Sequence, residues 1–273
     1  MNAWPLLVVW LGASLVMLAG WLRQRRTRNA GIVDVLWSAC MAAAAMFYAV
    51  CGSGALLPRV LVAMLGGIWG IRLALHLWQR VSHEPEDGRY RYLRAHWHDD
   101  PQRFLLFFMA QALLTALLSL PFWIAAHNPS PQWNLWMIGA VLVWLVSLGG
   151  ETIADRQLAH YRADPAHRGR TCRSGLWRYS RHPNYFFEWL HWFAYVFLSV
   201  GTGAGWVAAS LVGPALMLIS LCWITGIPFT EAQALRSRGD DYRDYQRTTS
   251  AFIPWFPRKS AASTRDDPQE HSS

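Results

Sequence analysis

Lysine is nearly missing from this chain of 273 residues: of its 25 Lys and Arg side chains only Lys259 is a lysine. Charge of either sign is scarce, at 15% of positions against 53% hydrophobic residues, where a soluble domain carries closer to a quarter charged. That shortage excludes an ordinary soluble globule. The four cysteines, Cys40, Cys51, Cys172 and Cys222, stand alone with no paired spacing, so neither a disulfide framework nor a zinc site is suggested. No Gly-x-Gly-x-x-Gly follows a strand-like run and no Walker-type loop occurs, so neither of the common nucleotide-binding devices is present. No metal-ligand spacing is found, and no metal is expected. A pI near 9.7 would suit nucleic acid, but the placement of the arginines gives it another cause.

What the chain does have is apolar runs long enough to cross a bilayer as helices. They fall near 4–22, 32–50, 58–78, 104–126, 133–150, 185–200 and 206–229. The first is too long for a signal-peptide core and lacks a basic start, so it reads as a retained span. The mean hydropathy of only +0.12 averages these runs with polar loops. Residues 23–31, 79–103, 151–183 and 230–273 hold all the cations except Arg59 and Arg72. Cationic loops stay in the cytosol, so the N-terminus is expected outside and the C-terminus inside. The predicted fold is all-α: one membrane domain of about seven helices over 1–257, then a disordered cytosolic tail over 258–273. A bacterial inner membrane is the expected location.

Charges within an apolar layer cost several kcal/mol and ask for a partner or a purpose. Asp34 lies about one turn inside the second run, and Arg72 and His76 share a face of the third. Glu151 and Asp155 end the fifth. Asn184, Glu188 and His191 form one stripe on the sixth at helical spacing, and Glu231 closes the seventh. By the predicted topology all lie near cytosolic ends. Mutual pairing, for instance of Asp34 with Arg72, would account for any one of them; together they suggest a cavity entered from the cytosol.

Two loops point to its ligand. In HEPEDGRYRYLRAHW (83–97) arginines alternate with aromatic rings, which suits a flat ring beside phosphates or anionic lipid headgroups. In the second, Arg162, Arg170, Arg173, Arg178 and Arg181 outnumber the nearby acids Glu151, Asp155 and Asp164. A ligand with several negative charges would satisfy them, such as a nicotinamide dinucleotide phosphate or a membrane-surface substrate.

The segment GLWRYSRHPNYFFEW (175–189) resembles the C-terminal region of the steroid 5-alpha-reductase-like family, in particular its bacterial branch. GIVDVLWS (31–38), EPEDGRYRYLR (84–94) and PFTEAQALRSRGDDYRDYQRTTSAFIPWFP (228–257) resemble it too. The resemblance implies a seven-helix membrane oxidoreductase that takes NADPH from the cytosol and reduces the carbon–carbon double bond of a lipophilic enone, typically a 3-oxo-Δ4-steroid. Asp155, Arg162, Arg170, Asn184 and Glu188 match the family's cofactor residues. Glu151 stands where the family has Asn, and Glu231 where it has His. Arg89 and Tyr90 fit an arginine-containing loop, and Tyr179, Arg181, His182, Tyr185 and Tyr242 complete the implied cofactor set.

Hydride addition to an enone builds negative charge on its carbonyl oxygen, which a donor must stabilise. The resemblance implies a Glu and a Tyr for this task. Asp34 occupies the place of the Glu and would act protonated, as burial favours. Trp69 falls near the place of the Tyr, leaving Arg72 or His76 as substitutes. RHPNY followed by Glu also resembles isoprenylcysteine carboxyl methyltransferases, so an S-adenosylmethionine-dependent membrane methyltransferase is the alternative. That methyl donor carries no phosphate to engage the arginines. A transporter or scaffold without chemistry is the third reading.

Overall fold

The computed structural model describes residues 2–258, and the tail expected over 258–273 lies, but for Arg258, outside them. In chain order the helices are α1 (Trp4–Thr27), α2 (Ile32–Cys51), α3 (Leu56–His83), α4 (Gly88–His96), α5 (Pro101–Leu118), α6 (Leu120–Ala125) and α7 (Leu135–Ala163). Then follow α8 (Pro183–Ser199), α9 (Ala204–Ser210), α10 (Val212–Ile219), α11 (Ile227–Arg238) and α12 (Asp240–Thr248). No strand occurs among the described residues. The protein is an all-α polytopic membrane protein.

Among the described residues six segments are long and apolar enough to cross a membrane: Trp4–Thr27, Ile32–Cys51, Leu56–His83, Pro101–Ala125, Leu135–Ala163 and Ala204–Arg238. The sixth of the seven expected spans falls short. Helix α8 has 17 residues, about 25 Å of helix against a hydrocarbon core of about 30 Å. The last expected span is not one helix either. Its segment runs through α9 and α10, opens into a π-turn over Ser220–Ile224 and restarts at α11. Pro228 sits in the first turn of α11, where its missing N–H costs nothing.

The chain divides into two compact units: residues 1–145 with 189–218, and 146–188 with 219–273. In the first, α1 packs on α2 and α5, and α2 packs along α3. Glycine makes the second of these packings possible. A Cβ on Gly66 would lie 2.5 Å from the Ala45 methyl, and one on Gly70 2.9 Å from the Ala42 methyl and the Ser38 carbonyl. Small residues let helices approach closely where lipid supplies no hydrophobic drive between them. Arg59 donates to the carbonyls of Ala49 (2.6 Å) and Val50 (3.0 Å) at the C-terminal end of α2, groups a helix end leaves without partners. The outward face of α1 carries Leu7, Leu11, Leu15, Leu18 and Leu22, a surface for lipid.

In the second unit, α12 and the chain after it hold the irregular segment between α7 and α8. Tyr245 donates its hydroxyl to the carbonyls of Trp177 and Ser180, and the Ser180 hydroxyl donates to Phe252 O (2.8 Å). The Trp177 indole N–H donates to Ala154 O at 2.9 Å.

Candidate functional sites

In the first unit the loop after α3 folds into α4 because Asp87 caps it, accepting from Arg89 N at 2.8 Å. The cap brings Arg89 and Tyr90 onto Asp34 in the first turn of α2. The Tyr90 hydroxyl donates to Asp34 Oδ1 at 2.7 Å, and Arg89 Nη2 donates to Oδ2 at 3.1 Å. Arg89 Nε also donates to Asp87 at 3.2 Å, and Arg80 pairs with Asp87. One turn on, Arg94 grips Glu86 through two nitrogens at 2.8 and 3.2 Å, while Glu86 accepts from Ala30 N at 2.8 Å.

This lattice changes the reading of Asp34. Its carboxylate accepts from a guanidinium and a phenol and does not meet Arg72. The side chain expected to act as a protonated acid is the shared acceptor of Arg89 and Tyr90. Arg89 and Tyr90, expected at the cofactor, are spent on Asp34. The phenol of Tyr90 is pushed well above its ordinary pKa, first by burial and then by the Asp34 charge. Asp87 is held below the usual carboxylate range: burial alone would raise it, but Arg89 and Arg80 together outweigh that. His76 lies on an exposed face of α3, and its side chain has no partner among the described residues.

A second cluster in this unit surrounds Trp69, which is buried. The His191 ring stacks on it at 4.5 Å, with Trp192 at 5.8 Å and Trp37 at 5.9 Å edge-on. The Tyr195 hydroxyl lies 3.0 Å from His191 Nε2. Arg72, one turn along α3 from Trp69, is near enough for its charge to act on the imidazole. His191 and Tyr195 are four apart on α8, a pairing that helical spacing could have exposed.

In the second unit the RHPNY segment and α11 converge on Glu231. Its carboxylate accepts from Arg181 Nε (2.6 Å), His182 Nε2 (3.3 Å), the Tyr242 hydroxyl (3.4 Å) and Gln246 Nε2 (2.7 Å). Arg181 also donates to the carbonyls of Gln246 (3.0 Å) and Thr249 (2.7 Å). Burial lowers the pKa of His182 although Glu231 pulls it up, so the ring enters this hub neutral. Glu231, Arg181, His182 and Tyr242 thus form a closed brace, with the guanidinium committed to protein oxygens. Arg173 is committed likewise, donating to Asp244 at 2.8 Å and Asp241 at 3.0 Å. The acids of α12 neutralise an arginine that the loop's own acids could not.

Around the brace, Asn184 Nδ2 donates to Asp155 Oδ1 at 3.2 Å. The Tyr185 hydroxyl meets Thr230 Oγ1 at 3.2 Å, and its ring stacks on His182. Glu151 is buried; Glu188 is half-buried; both are engaged by neighbours, as is the exposed Arg162. Tyr179 packs its ring edge-on to Phe256. What remains is a set of exposed arginines, Arg156, Arg168, Arg170 and Arg178 before α8 and Arg236 and Arg258 after it, with no ion pair among the described residues. No group of three His, Cys, Asp or Glu side chains suited to a metal occurs among those residues.

A search of curated proteins found no match, and neither did a search of solved structures. One family model does match, over residues 20–249, spanning both units. The chain therefore belongs to the family described as "Protein of unknown function (DUF1295)".

Proposed function

We propose that this protein is a membrane oxidoreductase that transfers hydride from NADPH to the carbon–carbon double bond of a lipophilic enone, with a 3-oxo-Δ4-steroid as the type substrate. The N-terminus lies outside and the C-terminus in the cytosol, in a bacterial inner membrane. The observation that carries the reading is the set of arginines left over in the second unit. After the carboxylates there have engaged Arg173 and Arg181, six exposed arginines, Arg156, Arg168, Arg170, Arg178, Arg236 and Arg258, have no ion pair among the described residues. Guanidinium forks grip phosphate in two-point contacts. A ligand with several phosphates fits that surplus; a sulfonium methyl donor without phosphate does not.

The residues suit the rest of the cofactor as well. Arg168 and Arg170 would hold its phosphates. Asp155, fixed by Asn184, and Glu188 would accept from ribose hydroxyls, and Asn184 offers an amide edge for the carboxamide. When bound, NADPH supplies the hydride. The brace around Glu231 keeps the RHPNY segment in place, so Asn184 and Tyr185 start α8 in a fixed register. Asp34 acts in this scheme as an anchor for Arg89 and Tyr90.

The test is ligand-induced thermal stabilisation of the purified full chain, because a ligand that binds only the folded state raises apparent stability. NADPH should stabilise by about 2–3 kcal/mol at a hundredfold excess over its dissociation constant, and NADPH should then be consumed when testosterone is added. Replacing Arg168 and Arg170 with Ala should weaken NADPH binding by roughly 10- to 100-fold. Stabilisation by S-adenosylmethionine instead would establish the methyltransferase, and a response to neither would end both readings.

A further inference from the structure

The cluster around Trp69 is rich in hydrogen-bond donors. His191 is buried, and its Nδ1 has no partner among the described residues. The indole N–H groups of Trp37 and Trp192 are likewise buried without acceptors. Buried polar atoms find partners in roughly nine cases of ten, and leaving one without costs about 1–3 kcal/mol. Three such atoms on rings that all border Trp69 make a concentrated deficit. Its sign is also specific. An indole N–H can only donate, so the deficit asks for an acceptor.

The Tyr195 hydroxyl is placed to set the tautomer of His191. When that hydroxyl donates to Nε2 across their 3.0 Å contact, Nε2 is an acceptor and the ring proton must sit on Nδ1. The imidazole then presents a second N–H donor. Arg72 adds a positive charge close by, which favours an oxygen carrying partial or developing negative charge. The rings beside these donors are flat and apolar: Trp69, the Phe122 ring stacked on Trp192, and the Trp37 ring.

We propose that His191, with Trp37 and Trp192, forms a carbonyl-oxygen subsite beside Trp69 that binds the ketone end of a flat, apolar ligand. Tyr195 is the positioning residue that fixes the proton on Nδ1. The proposal deepens the reductase reading and rests on it for the identity of the ligand as an enone. It moves the task of polarising the carbonyl from Asp34 to α8.

The experiment compares two probes that differ by one oxygen: testosterone and androst-4-en-17β-ol, which lacks the 3-oxo group. Binding to the purified full chain is read without cofactor, from quenching of tryptophan fluorescence. The wild type should bind testosterone about five- to tenfold more tightly than its 3-deoxy analogue, the worth of one or two neutral hydrogen bonds. His191→Phe should remove that preference and leave binding of the analogue unchanged. Trp37→Phe, which deletes the N–H but keeps a ring, should reduce the preference about two- to threefold. Tyr195→Phe should reduce it without weakening the analogue, which a merely structural role would not do.

NADPH binding, measured by thermal shift on the same variants, separates the two claims. Normal NADPH binding together with a preference that ignores His191 overturns the subsite and leaves the reductase reading standing. A His191-dependent preference in a protein that does not bind NADPH keeps the subsite and removes the reductase. Equal binding of the two probes, or binding of neither, overturns the subsite. Should His191→Phe fail to fold, His191→Leu and Trp37→Phe, which likewise delete the donor, decide the matter by the same ratio.

Discussion

Replacing Glu231 with Ala removes the acceptor on which Arg181, His182, Tyr242 and Gln246 all converge. The side chains of Arg181 and Glu231 are only 11% and 15% exposed, so water cannot take over the role. Deleting one partner of a buried ion pair costs about 3–5 kcal/mol, because the other charge stays buried. Arg181 keeps two backbone carbonyls, which places the expected loss near the lower end, about 3 kcal/mol. For a chain of this size the apparent melting temperature should fall by roughly 6–12 °C. Glu231→Gln retains the shape and one acceptor oxygen, and it should lose about half as much. The assay is thermal unfolding of detergent-purified protein, followed by tryptophan fluorescence. A loss below about 1 kcal/mol for Glu231→Ala would refute the brace, and Glu231 would then be available to a ligand after all.

Further outcomes follow from the same geometry. Tyr90→Phe should cost about 1–2 kcal/mol, since Asp34 loses a buried donor but keeps Arg89; chemical denaturation measures it. Gly70→Ala should destabilise by pushing α2 off α3, whereas Gly149→Ala, whose Cβ would meet nothing within 4 Å, should be neutral or slightly stabilising; paired melting curves compare them. Stability should also fall in acid. The folded pKa of His182 lies below its unfolded value, so the unfolded chain binds more protons and stability drops as pH falls below about 6.5. Asp241, where burial is outweighed by the bonds from Thr171 and Arg173, and Asp244, held down first by Arg173, are depressed below 3.8. Their contribution is present above that value and is lost at still lower pH. A melting series from pH 7 to pH 3 should show both phases, and His182→Phe should remove the first.

The sequence alone determined the membrane class. Apolar runs near a bilayer's thickness are a property of composition and length, and six of the seven coincide with segments long and apolar enough to span. It did not determine that α8 stops at 17 residues or that the last run breaks into α9, α10, a π-turn and α11, because those endings depend on turns and packing. The candidate residues were visible as charges in unfavourable places, since desolvation cost needs only an apolar neighbourhood to be noticed. Their partners were not visible. Asp34 bonds Arg89 and Tyr90 from a helix 55 and 56 residues away, and Arg173 is neutralised by acids of α12 about 70 residues on. Sequence spacing carries no such information, since only folding brings distant residues within a hydrogen bond. Tertiary structure therefore decided which arginines are paired with carboxylates and which have no ion pair among the described residues. It also brought His191, visible in the sequence as part of a polar stripe, together with Trp37 and Trp192, which the sequence did not single out, around one ring.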